Sequence, residues 1–434
     1  MAQAIAPVPL TERLWNAASA PNWNIRHLYL DTAWQGVMAA GISTYLSIFV
    51  VRLGASNLYV GLLTALPALV AALLAVPVGT LVEGRDNPVA VSNRFRTVLR
   101  FCYLLVALVP FFLGGGDAAL AIVLIWGLSS IASVALSPPW YAVIAAIVPP
   151  RIRPYVNGNR WALVSIITAA TVPLFGKLLD SVSFPANYQI VFFASFVTGL
   201  VSVYHFGQIR LPKVTAGDRP PRPGFVQSLA ALRRSLATSY EFRRFVAGSV
   251  VYQLGTYLAA PLFAIYWVHN LQASNTLIGL RTSAAYGILV LGYVIWGRVA
   301  VRLGHRRVLI ACGIGTSVYP VLTALVPNAS WLIPVAMLWG AFAAGIDIAF
   351  FECLLRSAPA GHVETFSAVS TTVTNITCFI APIAGTLLAD ALGIQIALVA
   401  AGVLILVGAM LFYVLGVGRI AAVGAGVYTG TPGT

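Results

Sequence analysis

Five side chains carry chemistry inside long apolar runs: Asp31, Gln35, Gln253, Trp339 and Asp347. An ionisable group in hydrocarbon costs from about 2.5 kcal/mol upward, so each calls for a partner or a task. Asp31, Gln35, Met38, Ile42 and Tyr45 fall at i, i+4, i+7, i+11 and i+14, one face of a helix. Asp31 reads as a proton site or as an acid near a helix N-terminus, held by the dipole. Gln35 and Gln253 each offer a donor and an acceptor, which suits a ligand bearing hydroxyl or carbonyl groups and equally suits a bond between helices. Trp339, Ala343 and Asp347 share a second face. A carboxylate at the depth of Asp347 is either a proton-coupling or substrate-contacting group or a hydrogen-bonded structural one. Glu352 has Arg356 four residues on, the spacing of an intrahelical ion pair.

The elements that must position these groups are membrane helices. Hydrophobic residues make up 59% of the chain and charged ones 9%, with a mean hydropathy of +0.88. A soluble domain carries roughly 25% charge, so most of this chain faces lipid. With about 20 apolar residues needed per span, twelve segments emerge near 26–52, 57–83, 96–114, 118–147, 156–181, 187–210, 244–269, 275–301, 306–327, 330–356, 363–390 and 393–417. The expected fold is an all-α membrane protein of twelve transmembrane helices. Its parts are a cytoplasmic N-terminal segment (1–25), a six-helix bundle (26–210), a cytoplasmic linker with an amphipathic helix (211–243), a second six-helix bundle (244–417) and a tail (418–434). In the linker, Phe225, Leu229, Leu232 and Leu236 oppose Arg233 and Arg234, as in a helix lying on an anionic leaflet.

The net charge of +14 collects in alternate connections, the positive-inside pattern, and places both termini in the cytoplasm. Bases spread over many short loops exclude a nucleic-acid face. The four cysteines lie within apolar segments without metal-type spacing. No phosphate loop, His-Glu-x-x-His or Gly-x-Ser-x-Gly constellation occurs, so an enzyme is not expected, nor a metal or cofactor.

The two bundles are copies. Ala55-Ser56-Asn57 with Gly61 recurs 218 positions later as Ala273-Ser274-Asn275 with Gly279, and Trp34-Gln35 recurs as Tyr252-Gln253. Trp126-Gly127 returns as Trp339-Gly340, and Pro173 with Gly176 as Pro382 with Gly385. The repeat makes Gln35 and Gln253 pseudo-symmetric partners, whereas Asp347 faces Val134 and Asp31 faces Ser249. Internally duplicated bundles are a common build of secondary transporters.

After the second helix of the second half comes Gly297-Arg298-Val299-Ala300-Val301-Arg302-Leu303-Gly304-His305-Arg306-Arg307. This run, in two six-helix halves joined by a long basic loop, resembles the signature of the major facilitator superfamily over roughly residues 26–417. The first-half copy keeps Gly79, Glu83 and Arg85, with Glu83 at the acid position that Val301 occupies in the second copy. The resemblance implies a cytoplasmic gate formed by Gly79, Glu83, Arg85, Gly297, Arg302, Gly304 and Arg306, the glycines admitting close helix approach. It also implies a central path lined by helices one, four, seven and ten, and an outer boundary where helices five and eight meet. There Asp180 is expected to pair with Arg281, or with Lys177 within one helix. Arg100 is expected to snorkel to the cytoplasmic interface.

These residues imply a secondary transporter of the plasma (inner) membrane, working by alternating access. Its cargo is a small hydrophobic or amphipathic solute, and export is coupled to protons. The alternatives are a non-transporting receptor on the same fold and a sugar or metabolite uptake permease. The expected partners are a small-molecule substrate, the lipids of an anionic inner leaflet and protons, with the chain acting as a monomer.

Overall fold

A computed structural model of the protein describes residues 23–82, 87–149, 152–211, 239–357 and 363–418. The linker helix expected within 225–236, the tail beyond 418, and Glu83 and Arg85 lie outside the described residues.

Two six-helix bundles account for nearly all of it. The first comprises α1 (Trp23–Arg52), α2 (Asn57–Val82), α3 (Pro88–Leu108), α4 (Gly115–Ile147), α5 (Arg153–Ser181) and α6 (Ala186–Gly207). The second comprises α7 (Tyr240–Ile265, extended by a π turn, Tyr266–Asn270), α8 (Asn275–Leu303), α9 (His305–Leu325), α10 (Leu332–Ser357), α11 (Val363–Leu392) and α12 (Ile394–Val414). Successive helices run antiparallel. One end of the molecule, here proximal, carries the start of α1 and the end of α12, and the other end is distal. The packing order repeats: α1 lies on α5 and α6, α2 and α3 on α4, while α7 lies on α11 and α12, α8 and α9 on α10. The halves meet where α2 packs on α11 and α5 on α8.

Among the described residues, eleven helices are long and apolar enough to cross a membrane. The exception is α3, which carries Arg94, Arg96 and Arg100. It begins eight residues earlier than the hydropathy predicts, at Pro88, with Asn87 accepting from the Ala90 N–H as its cap. Apolarity fails there because two of the arginines point into the first half. Arg96 is 1% exposed and Arg100 2%. This corrects the expectation that Arg100 snorkels: its Nη1 donates to the Tyr103 hydroxyl at 3.0 Å, and its stem fills the place a Cβ on Gly199 would take.

The second half is joined differently. Gly340 lets α10 settle against the Ala285 carbonyl of α8, and Gly408 brings α12 onto the backbone of Tyr252. Lipid gives helices no hydrophobic reason to associate, so close backbone approach at small residues does that work.

Candidate functional site

The structure separates the two acids that sequence spacing treats alike. Asp31 turns away from the second half, into the bundle between α1, α3 and α6. Its carboxylate, fully buried, accepts from Arg96 Nη1 at 2.7 Å and Nη2 at 3.1 Å, and from Ser202 Oγ at 2.6 Å. The guanidinium of Arg96 lies 4.3 Å over the Phe206 ring. One residue on, Thr32 Oγ1 accepts from Arg160 Nε at 3.0 Å, and Arg160 rests on Trp140. Asp31 is therefore not on the path face with Gln35, because a fork-shaped cation inside the half claims both carboxylate oxygens.

Asp347 meets a different environment. Its Oδ2 accepts from the Tyr293 hydroxyl of α8 at 2.7 Å, and the side chain is exposed. Among the described residues no cation pairs with it. Around α10, Gly340 and Ala344 face α8 while Phe342 faces α9 at Gly315. Asp347 and Ala343 take the sector between α8 and α7, where Phe350 meets Phe245. Trp339 flanks this sector, packed near Tyr286 and 6.1 Å from the Tyr319 ring.

Gln35 and Gln253 are both half-buried, and neither amide bonds to another residue among those described. They sit on α1 and α7, which touch across the halves.

At the distal end the halves are sealed, Asp180 among the residues, but through partners that spacing alone did not single out. Asp180, at the end of α5, accepts at Oδ1 from the backbone N–H and Nδ2 of Asn275 (2.9 and 2.8 Å) and at Oδ2 from the Thr276 N–H (2.8 Å). An acid thus caps the N-terminus of a helix from the opposite half. Tyr188 donates to Asn275 Oδ1 at 2.6 Å, Tyr45 to the Asn275 carbonyl at 3.2 Å, and Arg52 to the Ala273 carbonyl at 3.0 Å. On the other flank Asn57 Nδ2 donates to Asp390 at 2.6 Å. The two asparagines of the repeated Ala-Ser-Asn text therefore each hold an aspartate of the other half. The glycines of the same text lie against the repeated prolines. A Cβ on Gly61 would press on the Pro382 carbonyl, and one on Gly279 on Val172 and Pro173. The repetition itself was the signal for this latch, and Asp180 and Asp390 were the partners it lacked.

The expected Asp180–Arg281 pair does not form. Arg281 donates to the Tyr319 hydroxyl and lies 4.3 Å over the Trp267 ring. Asp180 instead accepts from two backbone N–H groups and the Asn275 amide, and the backbone donors cannot move away from it without opening the helix contact. Lys177 is exposed, and no ion pair joins it to Asp180. Glu352 and Arg356 are joined at 2.9 Å within α10.

At the proximal end no hydrogen bond between described residues crosses the halves; the innermost crossing is Ser283 to the Ala169 carbonyl at 2.5 Å. Among the described residues nothing lies within 4 Å of a Cβ built on Gly297. Arg302 is exposed, Gly304 has φ +85°, and Arg306 donates to the Tyr413 carbonyl. Gly79 lies within α2. Among the described residues no metal-type cluster occurs.

The family model described as Major Facilitator Superfamily matches residues 28–247 and 245–423. No curated protein matches the chain. Solved structures of similar fold include a bacterial homologue of the human lysosomal transporter Spinster, inward-facing and unoccupied (TM-score 0.65, 14% identity, 92% of this chain and 97% of that one). Others are the nucleoside transporter NupG (0.65, 13%, 90% and 99%) and a bacterial homologue of the iron transporter ferroportin in an inward-facing state (0.67, 14%, 91% and 98%).

Proposed function

The chain belongs to the Major Facilitator Superfamily, and on that premise we propose that it exports a small amphipathic solute against a proton gradient by alternating access. The observation that carries the coupling is the contrast between its two deep acids. Asp31 is held by a buried guanidinium, Arg96, at both of its oxygens. Asp347 has a phenol for its partner and an exposed carboxylate, so it can exchange a proton as its surroundings change. The unbonded amides of Gln35 and Gln253 and the rings of Trp339 and Tyr286 supply donors, acceptors and apolar faces for an amphipathic ligand.

The latch supplies the alternation. With Asn57 and Asn275 engaged on the distal side and no described bond across the proximal side, solute enters from the proximal face. The collection of basic residues in alternate connections supports reading that face as cytoplasmic. Release requires the distal bonds to break and the proximal ends to close, a rocking of one half on the other.

Purified protein in liposomes with an imposed pH gradient tests this. Gradient-driven flux of an amphipathic dye is expected in the wild type and is lost in Asp347→Asn, while counterflow exchange without a gradient persists. Flux that ignores the gradient removes the proton coupling. No flux for any solute class removes transport and leaves a receptor.

A further inference from the structure

The proximal end of the second half, where the signature run containing Gly304 and Arg306 lies, holds a feature that the proposed solute path does not account for. The helix α9 opens directly after Gly304, whose φ of +85° ends α8 and starts α9 in one residue. No side chain caps the new helix, so its first N–H groups lack an acceptor from this source. That first turn contains His305, Arg306 and Arg307. Cations there oppose the positive end of the helix dipole, where acids are favoured. Across from them, Arg356 at the end of α10 adds a further guanidinium.

These residues line one hollow of about 340 Å³, floored by Leu303 and Cys353. Its donors are poorly matched by acceptors. Arg306 gives Nη2 to the Tyr413 carbonyl at 3.1 Å, but its Nε is buried without a partner. Arg307 is exposed and bonds to no residue among those described. Among the described residues, the acid bonded to the group is Glu352, which holds Arg356 by Nε alone. A cavity, an uncapped helix start and four basic side chains thus converge with a shortage of negative charge.

We propose that this hollow binds a phosphate group. Free N–H groups at a helix start and guanidinium forks are the donors phosphate oxygens take, and a phosphate would offset the repulsion among the bases. The position, where apolar helices end, suits the headgroup of an anionic phospholipid. A soluble phosphate ester has the same chemistry.

The test uses the full chain in neutral detergent, titrated with phosphatidylglycerol, phosphatidylcholine or glycerol phosphate while the unfolding midpoint is followed. A saturable rise with phosphatidylglycerol and none with phosphatidylcholine is expected. In Arg307→Gln/Arg356→Gln the apparent affinity should fall about tenfold or more, as expected for two lost charge-assisted contacts. Arg307→Gln alone, a change at an exposed position, should give part of that loss without risk to folding, and Arg307→Lys should retain most of the affinity. Arg243→Gln, which removes an exposed charge elsewhere, should leave it unchanged. Saturation by glycerol phosphate alone assigns the site to a soluble ester, and response to the lipid only assigns it to the membrane. Equal response to phosphatidylcholine, an unaffected double variant, or equal damage from Arg243→Gln overturns the proposal.

Discussion

The two halves share a fold and a text but differ in how their deep acids are held. The first is cross-linked inside by buried polar contacts: Asp31 with Arg96 and Ser202, Arg160 with Thr32, His27 with His205 at 3.2 Å. The second closes on glycines and aromatic rings, and leaves its deep acid, Asp347, to a phenol. A carboxylate that a buried guanidinium grips with both forks is a rivet. One that a neutral hydroxyl touches once is free to change its charge. Under the proposed function, the difference makes Asp31 part of the scaffold and Asp347 the acid that changes its charge.

Several substitutions strain that contrast, beginning with the most damaging. Arg96→Gln strands the Asp31 carboxylate in the bundle and should cost about 3–5 kcal/mol, read as a large fall in the unfolding temperature of the detergent-purified protein. Replacing Asp31 and Arg96 together by Leu and Met should recover most of that loss, because the stranded charge goes with its partner. Asp347→Asn keeps an acceptor for Tyr293 and should change stability by about 1 kcal/mol or less in the same assay. A loss there comparable to Arg96→Gln would erase the distinction between the halves.

The latch gives effects of intermediate size. Asn275→Ala removes the side-chain bonds to Asp180 and Tyr188 and should weaken distal closure by about 1–3 kcal/mol, the range for unsatisfied polar partners. Spin labels at the distal ends of α5 and α8 should then report a population at longer separation. Asn57→Ala, with one exposed bond to Asp390, should shift the same distribution by about 0.5–1.5 kcal/mol. An unmoved distribution in both variants would remove the asparagines from the gate. The least effect belongs to Glu352→Gln, which breaks an exposed i,i+4 pair worth about 0.2–0.5 kcal/mol in unfolding measurements.

Much of the architecture was legible before any coordinates. Helix positions followed because bilayer thickness and backbone hydrogen bonding leave a spanning segment few options. The α3 start was misplaced for the same reason, since the rule assumes charges face out, and Arg96 and Arg100 face in. The site was legible only in part. Gln35 and Gln253 were found by registering the repeat, and they stand unbonded on facing helices. Asp31 was grouped with Gln35 because i and i+4 differ by only a small rotation, yet its carboxylate bonds to a residue 65 positions away. Asp180 and Arg281 were matched by charge, although the helix start beside Asp180 offered better-placed donors.

By itself the sequence determined what is local and periodic: twelve helices, their duplication and the ends at which charge collects. The same solvent and the same 3.6-residue turn act on every segment, so those features need no knowledge of neighbours. Only the tertiary structure decided which of two similar acids is neutralised and which stays open, and that the repeated asparagines latch the halves. Hydrogen bonds and ion pairs act over about 3 Å. Which groups come within that reach depends on how helices distant in sequence pack.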